Sequence, residues 1–169
     1  MTPIEGHDAP YDAPVVLPSR TVQSEWIDYN GHMNVAYYIL AVDHALDQFL
    51  EGELGIGELH AARVRQGPYS LQSHVQYLGE LFEGARFSVS VQLMDCDAKR
   101  MHLYNELRSD SNGLAATCEQ ILMNVNLETR RSTPYPDWAQ ARMKAMLAAH
   151  SKLVTPLRLG ASIGLRRNG

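Results

Sequence analysis

Asn34-Val35-Ala36-Tyr37-Tyr38-Ile39-Leu40-Ala41-Val42-Asp43-His44-Ala45-Leu46-Asp47-Gln48-Phe49-Leu50 is the stretch on which the fold turns. From Val35 onward it holds neither glycine nor proline, and Asn34 is a residue type that accepts a hydrogen bond from first-turn amides. The segment therefore predicts a helix of about 16 residues and roughly 24 Å. Its first two turns, Val35 to Val42, are apolar on every side, whereas a surface helix carries one apolar stripe. The expectation is a long helix enclosed by other structure.

The flanks supply what would enclose it. Upstream, Arg20 to Trp26 suits a short strand that ends where Asp28, Asn30 and Gly31 bring turn chemistry. Downstream of Gly52, Gly55 and Gly57, four runs alternate with period two. They are Leu71 to Tyr77, Phe87 to Leu93, Met101 to Arg108, and Thr117 to Val125. Breaks fall at 79–84, 95–99 and 110–113, the last carrying Asn112-Gly113, a strong hairpin signal. This predicts four consecutive antiparallel strands joined as hairpins, curled around the helix. That is an α+β arrangement, since a doubly wound parallel sheet would need crossover helices between the strands. Pro136 opens a further helix through about His150, and Thr155 onward reads as a tail or edge strand. The expected organisation is an extended, proline-rich arm over 1–18, one domain over 19–135, and a C-terminal helix with a basic tail over 136–169.

Composition bounds the function classes. A chain of 169 residues with 45% apolar side chains fills one ordinary core. The longest apolar run, Val35 to Val42, is far short of the roughly 20 residues a membrane helix needs, and no secretory leader opens the sequence. A soluble cytoplasmic protein is expected, with no membrane partner. Cys96 and Cys118 fit neither a disulfide scaffold nor a zinc spacing and are expected reduced and inert. Charge is uneven: residues 1–129 carry 7 basic and 18 acidic side chains, residues 130–169 carry 8 and 1. The basic segment could meet phosphates or the acidic body of another copy, or be a solvated helix face. Its Lys and Arg are interleaved with Ala, Leu and Met, and no recognition motif accompanies them, which argues against nucleic acid.

Chemistry concentrates at Asp28-Tyr29-Asn30-Gly31-His32-Met33-Asn34, against the start of the most apolar helix. A carboxylate, an amide and an imidazole at alternating positions can converge on one small volume. Helix-terminal amides beside them suit an oxyanion or a carbonyl oxygen. The alternative is a capped turn in which Asp28 and Asn30 bond only the backbone. Elsewhere the signals are weaker. Gly52, Gly55 and Gly57 lack the context of a dinucleotide loop. Asp43, His44 and Asp47 suit structural hydrogen bonding better than a metal. Gln72 and His74 face either the site or solvent, His102, Tyr104, Glu106 and Arg108 form a solvated strand face, and Glu119 could be buried.

The stretch Glu25 to Tyr38 resembles the signature of the thioesterase-like hotdog family, including bacterial thioesterases of carnitine and betaine-type catabolism. It is also similar to the Asp-x-Asn-x-His motif of plant acyl carrier protein thioesterases. The resemblance covers roughly residues 20–135. It implies a hotdog fold, thioester hydrolysis of a small acyl-CoA without cofactor or metal, and Asp28, Asn30 and His32 as the catalytic set. Hotdog enzymes similar to 4-hydroxybenzoyl-CoA thioesterase carry Asp-x-Asp, with the catalytic carboxylate at the place held here by Asn30. The Asp-x-Asn-x-His alignment accounts for His32 as well. The resemblance further implies a dimer or dimer of dimers with sites at the interface. Asn34 amides would face the oxyanion, and Lys99, Arg100, Arg130 and Arg131 are the candidates for the CoA phosphates. Trp26, Tyr29, Tyr37 and Tyr38 suit a quaternary ammonium, as in betainyl-CoA, through cation–π attraction, and core packing accounts equally well for Tyr37 and Tyr38. The competing classes are a non-catalytic acyl-CoA-binding module and an enoyl-thioester hydratase.

Overall fold

The computed structural model describes residue 3 and residues 5–165. In chain order the elements are β1 (Val15–Val16), β2 (Arg20–Thr21), a 3-10 turn (Ser24–Trp26), α1 (Val35–Phe49), a π turn (Leu50–Leu54) and α2 (Glu58–Val64). Then come β3 (Gln66–Tyr77), β4 (Arg86–Cys96), β5 (Arg100–Ser109), β6 (Gly113–Asn126), β7 (Arg131–Ser132) and α3 (Asp137–His150). One antiparallel sheet in the order β1-β4-β5-β6-β3 packs against α1, with β2 beside β4 and β7 beside β6. This is the hotdog architecture. Asn34 caps α1 as expected, its Oδ1 accepting the Ala36 N–H at 3.0 Å.

The inner row of α1, Ala41, Val42, Ala45, Leu46 and Phe49, packs with Val89, Val91, Leu93, Leu103 and Leu107 in one core. The small side chains at 41 and 45 let the helix approach the sheet closely. Met143 and Met146 of α3 close the same core. Among the described residues no helix is long and apolar enough to cross a membrane. Both cysteines are free, and burial pushes the Cys118 thiol up to about 12.

Several expectations need correction. The four long strands are not four successive hairpins: β4, β5 and β6 are, but β3 pairs with β6, Tyr77 opposite Ala116 and Gln66 opposite Asn126. The connection from β3 to β4 is used elsewhere, because Leu81 is fully buried and its carbonyl accepts the Met33 N–H at 2.7 Å. The outer edge of β3 is consequently left unpaired among the described residues. The first strand shrinks to Arg20–Thr21 before the 3-10 turn. The helix α1 is not enclosed on all sides, for Val35 is 53% and Ile39 43% exposed.

The glycine-rich connection holds α2 and a packed turn. Gly55 has φ 70°, and a side chain there would run into the Glu5 carbonyl. The described residues of the arm pack onto the body: Val15 pairs with Val91, and Tyr11 is buried. Buried Arg142 and His150 of α3 bond Asp8 and the Asp12 carbonyl and so hold that arm. Tyr104 is buried rather than solvated. No strand forms among residues 155–165; instead the Gly160 N–H bonds Glu119 at 2.7 Å, and His102 pairs with the same carboxylate at 2.8 Å. Arg166 and Arg167 of the basic tail lie outside the described residues.

Candidate active site

Between the 3-10 turn and α1 the chain folds back on itself. Ile27 and Met33 form an isolated antiparallel bridge, Asp28 N–H donates to the His32 carbonyl (3.1 Å), and Gly31 N–H donates to the Asp28 carbonyl (3.0 Å). Gly31 takes φ 83°, the left-handed position that closes a three-residue hairpin loop at no steric cost to glycine. Asp28 and His32 therefore stand opposite each other on the two arms. Tyr29, Asn30 and Gly31 form an exposed tip.

The Asp28 carboxylate is half-buried and held at both oxygens. Oδ1 accepts the Asn30 N–H at 2.8 Å and Oδ2 accepts from Asn34 Nδ2 at 3.1 Å. The capped turn is thus real. It does not exhaust the group, because each carboxylate oxygen keeps a further lone pair. His32 Nδ1 lies 3.3 Å from the Met33 carbonyl; with its proton donated there, Nε2 keeps its lone pair, 3.8 Å from Glu80 Oε1. The Asn30 side chain makes no hydrogen bond among the described residues and remains available at the surface.

The helix-terminal amides are more committed than the sequence suggests. Asn34 N–H donates to Trp26 O (2.9 Å), Ala36 N–H to Asn34 Oδ1 and Tyr37 N–H to Asn34 O. The Val35 amide is not taken by these contacts. The aromatic set does not converge within one chain. Trp26 is buried, stacked on Tyr37 at 5.4 Å with the Arg20 guanidinium above it. Tyr38 is tied to the Gly79 carbonyl, and Tyr29 is 97% exposed.

The basic candidates lie at the other end of the sheet. The motif sits by Leu81 and, through Leu78 and Gly79, by Ala115, whereas Arg100 pairs opposite Met123. That separation along β6 is roughly 26 Å at the usual strand rise. Arg100 is held by Asp97 (2.6 and 2.8 Å), and Lys99 reaches Ser132 at 3.5 Å. Arg130 bonds the Tyr69 hydroxyl at 2.8 Å and so keeps a neutral partner. Asp43, His44 and Asp47 form no metal cluster. His44 accepts from Arg20 at 2.7 Å, and no group of three or more metal-ligating side chains occurs among the described residues. Sequence reasoning misses Glu80 beside His32; it comes from an irregular connection with no periodicity to mark it.

A thioesterase-like superfamily profile matches residues 22–143. The chain belongs to that superfamily. It is similar to the betainyl-CoA thioesterase of Pseudomonas aeruginosa, 36% identical over 92% of this chain and 93% of that protein. It is also similar to an L-carnitine dehydrogenase/betainyl-CoA thioesterase of Rhizobium meliloti, 28% identical over 91% of this chain but only 31% of the relative. Among solved structures, a Staphylococcus aureus protein in complex with CoA superposes with a TM-score of 0.85. It is 28% identical, over 95% of this chain and all of the other. As a member of the thioesterase-like superfamily the chain is a thioester hydrolase, and the stretch quoted above, Glu25 to Tyr38, contains the hairpin 27–33.

Proposed function

We propose that this acyl-CoA thioesterase hydrolyses betainyl-CoA, or a close analogue with a small cationic acyl group, in the cytoplasm and as a homodimer or dimer of dimers. The observation that carries the substrate is the 36% identity to a betainyl-CoA thioesterase over nearly the full length of both chains. A solved relative in complex with CoA supports the other half of the ligand.

Asp28 and His32 orient and deprotonate a water, which attacks the thioester carbonyl carbon; the carbon–sulfur bond breaks and the thiolate takes up a proton as CoA leaves. In the tautomer that donates from Nδ1 to the Met33 carbonyl, His32 Nε2 can take the proton of the water, a route that needs no anhydride with Asp28. Asn30 holds the water or the carbonyl oxygen, and the Val35 amide at the helix N-terminus stabilises the oxyanion.

A hairpin whose tip is exposed excludes little water, so the site needs a cover. The open edge of β3 supplies one. Pairing two copies antiparallel about the middle of β3 sets the Tyr77 end, where the motif lies, against the partner's Gln66 end. Exposed Tyr69, Leu71 and Tyr77 of β3 and exposed Val35 and Ile39 of α1 would be covered together. The same operation carries the partner's Arg130 toward the motif, ready for a CoA phosphate, and resolves the separation within one chain. Thiol release from a panel of acyl-CoAs tests the activity: betainyl-CoA should lead the panel. Release from straight-chain acyl-CoAs alone would refute the substrate, and thiol-free turnover of an enoyl-CoA would point to a hydratase.

A further inference from the structure

On the face of the sheet that packs against α1, a polar chain runs from the apolar core to the edge of β3. Asn105 is fully buried in β5 between Leu103 and Leu107, and its Nδ2 donates to the Cys118 carbonyl and to Gln120 Oε1, both at 2.9 Å. A carbonyl can only accept, so the Asn105 amide has one possible orientation. That orientation makes Oε1 the acceptor of buried Gln120 and turns its Nε2 toward β3, where it donates to Ser73 Oγ at 3.1 Å. Ser73 thereby accepts from inside and keeps its own proton for a donation outward. Within the chain that proton has Ser70 Oγ at 3.4 Å, longer than the ~2.8 Å of a good O–H···O bond, and both serines are exposed. Serines three apart would point to opposite faces of a regular strand. The register shift between Ser70 and Gln72 prevents this: Ser70 lies opposite Leu122 and Ser73 opposite Gln120, two residues apart on β6 and so on one face.

We propose that the chain Asn105–Gln120–Ser73 is a register key between two copies, each Ser73 hydroxyl donating to Ser70 of the partner subunit. The proposal rests on the reading above of a dimer paired through β3. Pairing about the middle of Gln66–Tyr77 sets Ser73 of each copy directly opposite the partner's Ser70, so each copy brings one donor and one acceptor. A slip by one residue turns inward positions against outward ones. A slip by two keeps the faces matched but sets Ser73 against Pro68, whose side chain accepts nothing, or against Gln72, which pairs with Ile121 and faces the other side. Either slip also carries the partner's Arg130 about 7 Å along the edge, out of line with the hairpin. Buried polar groups cost stability, and setting a register is their best-attested use.

Disulfide trapping reads the register with both serines in place. Tyr69 pairs with Met123 and His74 with Glu119, on the face away from the serines. An oxidised mixture of Tyr69→Cys and His74→Cys chains should therefore trap a dimer, its bridge located by peptide mass. Tyr69→Cys mixed with Gln72→Cys, or with Gln76→Cys, reports the two slips, and the in-register trap should exceed both. Ser73→Ala, Ser70→Ala and Gln120→Leu should each weaken the dimer by about tenfold or more in sedimentation, because two symmetric hydrogen bonds are lost, and let the slipped traps appear. The serine variants, at exposed positions, keep the test open if Gln120→Leu fails to fold. A merely structural role would lower the melting temperature and leave the dissociation constant and the trap pattern unchanged, which overturns the key while the dimer stands. A dimer trapped mainly in a slipped register with both serines present overturns the key as well. A wild-type monomer in sedimentation overturns the dimer reading and the key with it.

Discussion

Asp28 has two duties that a single substitution separates only in part. Its carboxylate fixes the hairpin through the Asn30 amide and the Asn34 side chain, and the same oxygens face the proposed water. Asp28→Asn places an amide nitrogen against one of two donors, so it should lower stability by about 1–2 kcal/mol as well as cutting kcat. His32→Ala is the cleaner probe. Its ring makes only a long hydrogen bond to a neighbouring carbonyl and a 3.8 Å approach to the exposed Glu80 carboxylate, so kcat should fall on the order of 10²- to 10⁴-fold with the melting temperature nearly unchanged. The double variant should lose less than the product of the singles if the two act as one proton-transfer unit. Asn30→Asp decides between the two alignments. At the exposed tip it adds a second negative charge beside Asp28 and should impair the enzyme; activation by Asn30→Asp with a silent Asp28→Asn would move the catalytic carboxylate to position 30. The signature was readable in the sequence because turn formers and a helix cap must be local. What each amide bonds was not, since Leu81 and Trp26 reach the motif from beyond the turn.

Helix α3 fastens the N-terminal arm through a histidine whose two nitrogens are both spoken for. Leu93 N–H donates to His150 Nδ1 and His150 Nε2–H donates to the Asp12 carbonyl, each at 2.8 Å, in a fully buried position. Only the neutral ring can do both. Burial accordingly lowers the pKa of His150, against the smaller raising effect of the Asp12 carbonyl. A histidine depressed in the folded state contributes stability that is complete above its unfolded value near 6.5 and is lost as pH falls from there toward the folded value. The melting temperature should therefore decline as pH is lowered below about 6.5. His150→Leu should start lower but show a shallower slope; an identical slope would remove His150 as the cause. His60, lowered mainly by burial beside Trp138, has the same sign, so the slope should shrink without vanishing. At this scale period-two alternation exposed the bodies of β3 to β6, a run free of Gly and Pro behind the Asn34 cap exposed α1, and Pro136 marked the start of α3. None of these signals could show that β3 pairs with β6, a choice made by contacts distant in sequence, nor α2, whose glycine-rich surroundings mask a short helix.

Under the proposed function, a second copy completes the molecule. The tip of the hairpin 27–33 is exposed, the CoA-binding candidates lie at the far end of the sheet, and the strand between them has an edge left unpaired among the described residues. A two-fold about β3 answers all three at once, which is a stronger argument than any of them alone. Leu71→Lys, at the exposed bulge of β3, should then shift the protein toward monomer in light scattering and reduce activity in proportion. The decisive test is complementation. If Asp28 acts with the partner's Arg130, every site of an Asp28→Asn dimer lacks its acid/base group, and every site of an Arg130→Ala dimer binds CoA poorly. A mixed dimer has one doubly damaged site and one intact site. Random exchange makes half the dimers mixed, so an equimolar mixture should recover about a quarter of wild-type activity at low substrate, well above either parent. Recovery should follow the rate of subunit exchange. A mixture that stays at the mean of its parents while exchange is demonstrated by mass would show that each site is built from one chain, and would return Arg130 to its bond with Tyr69.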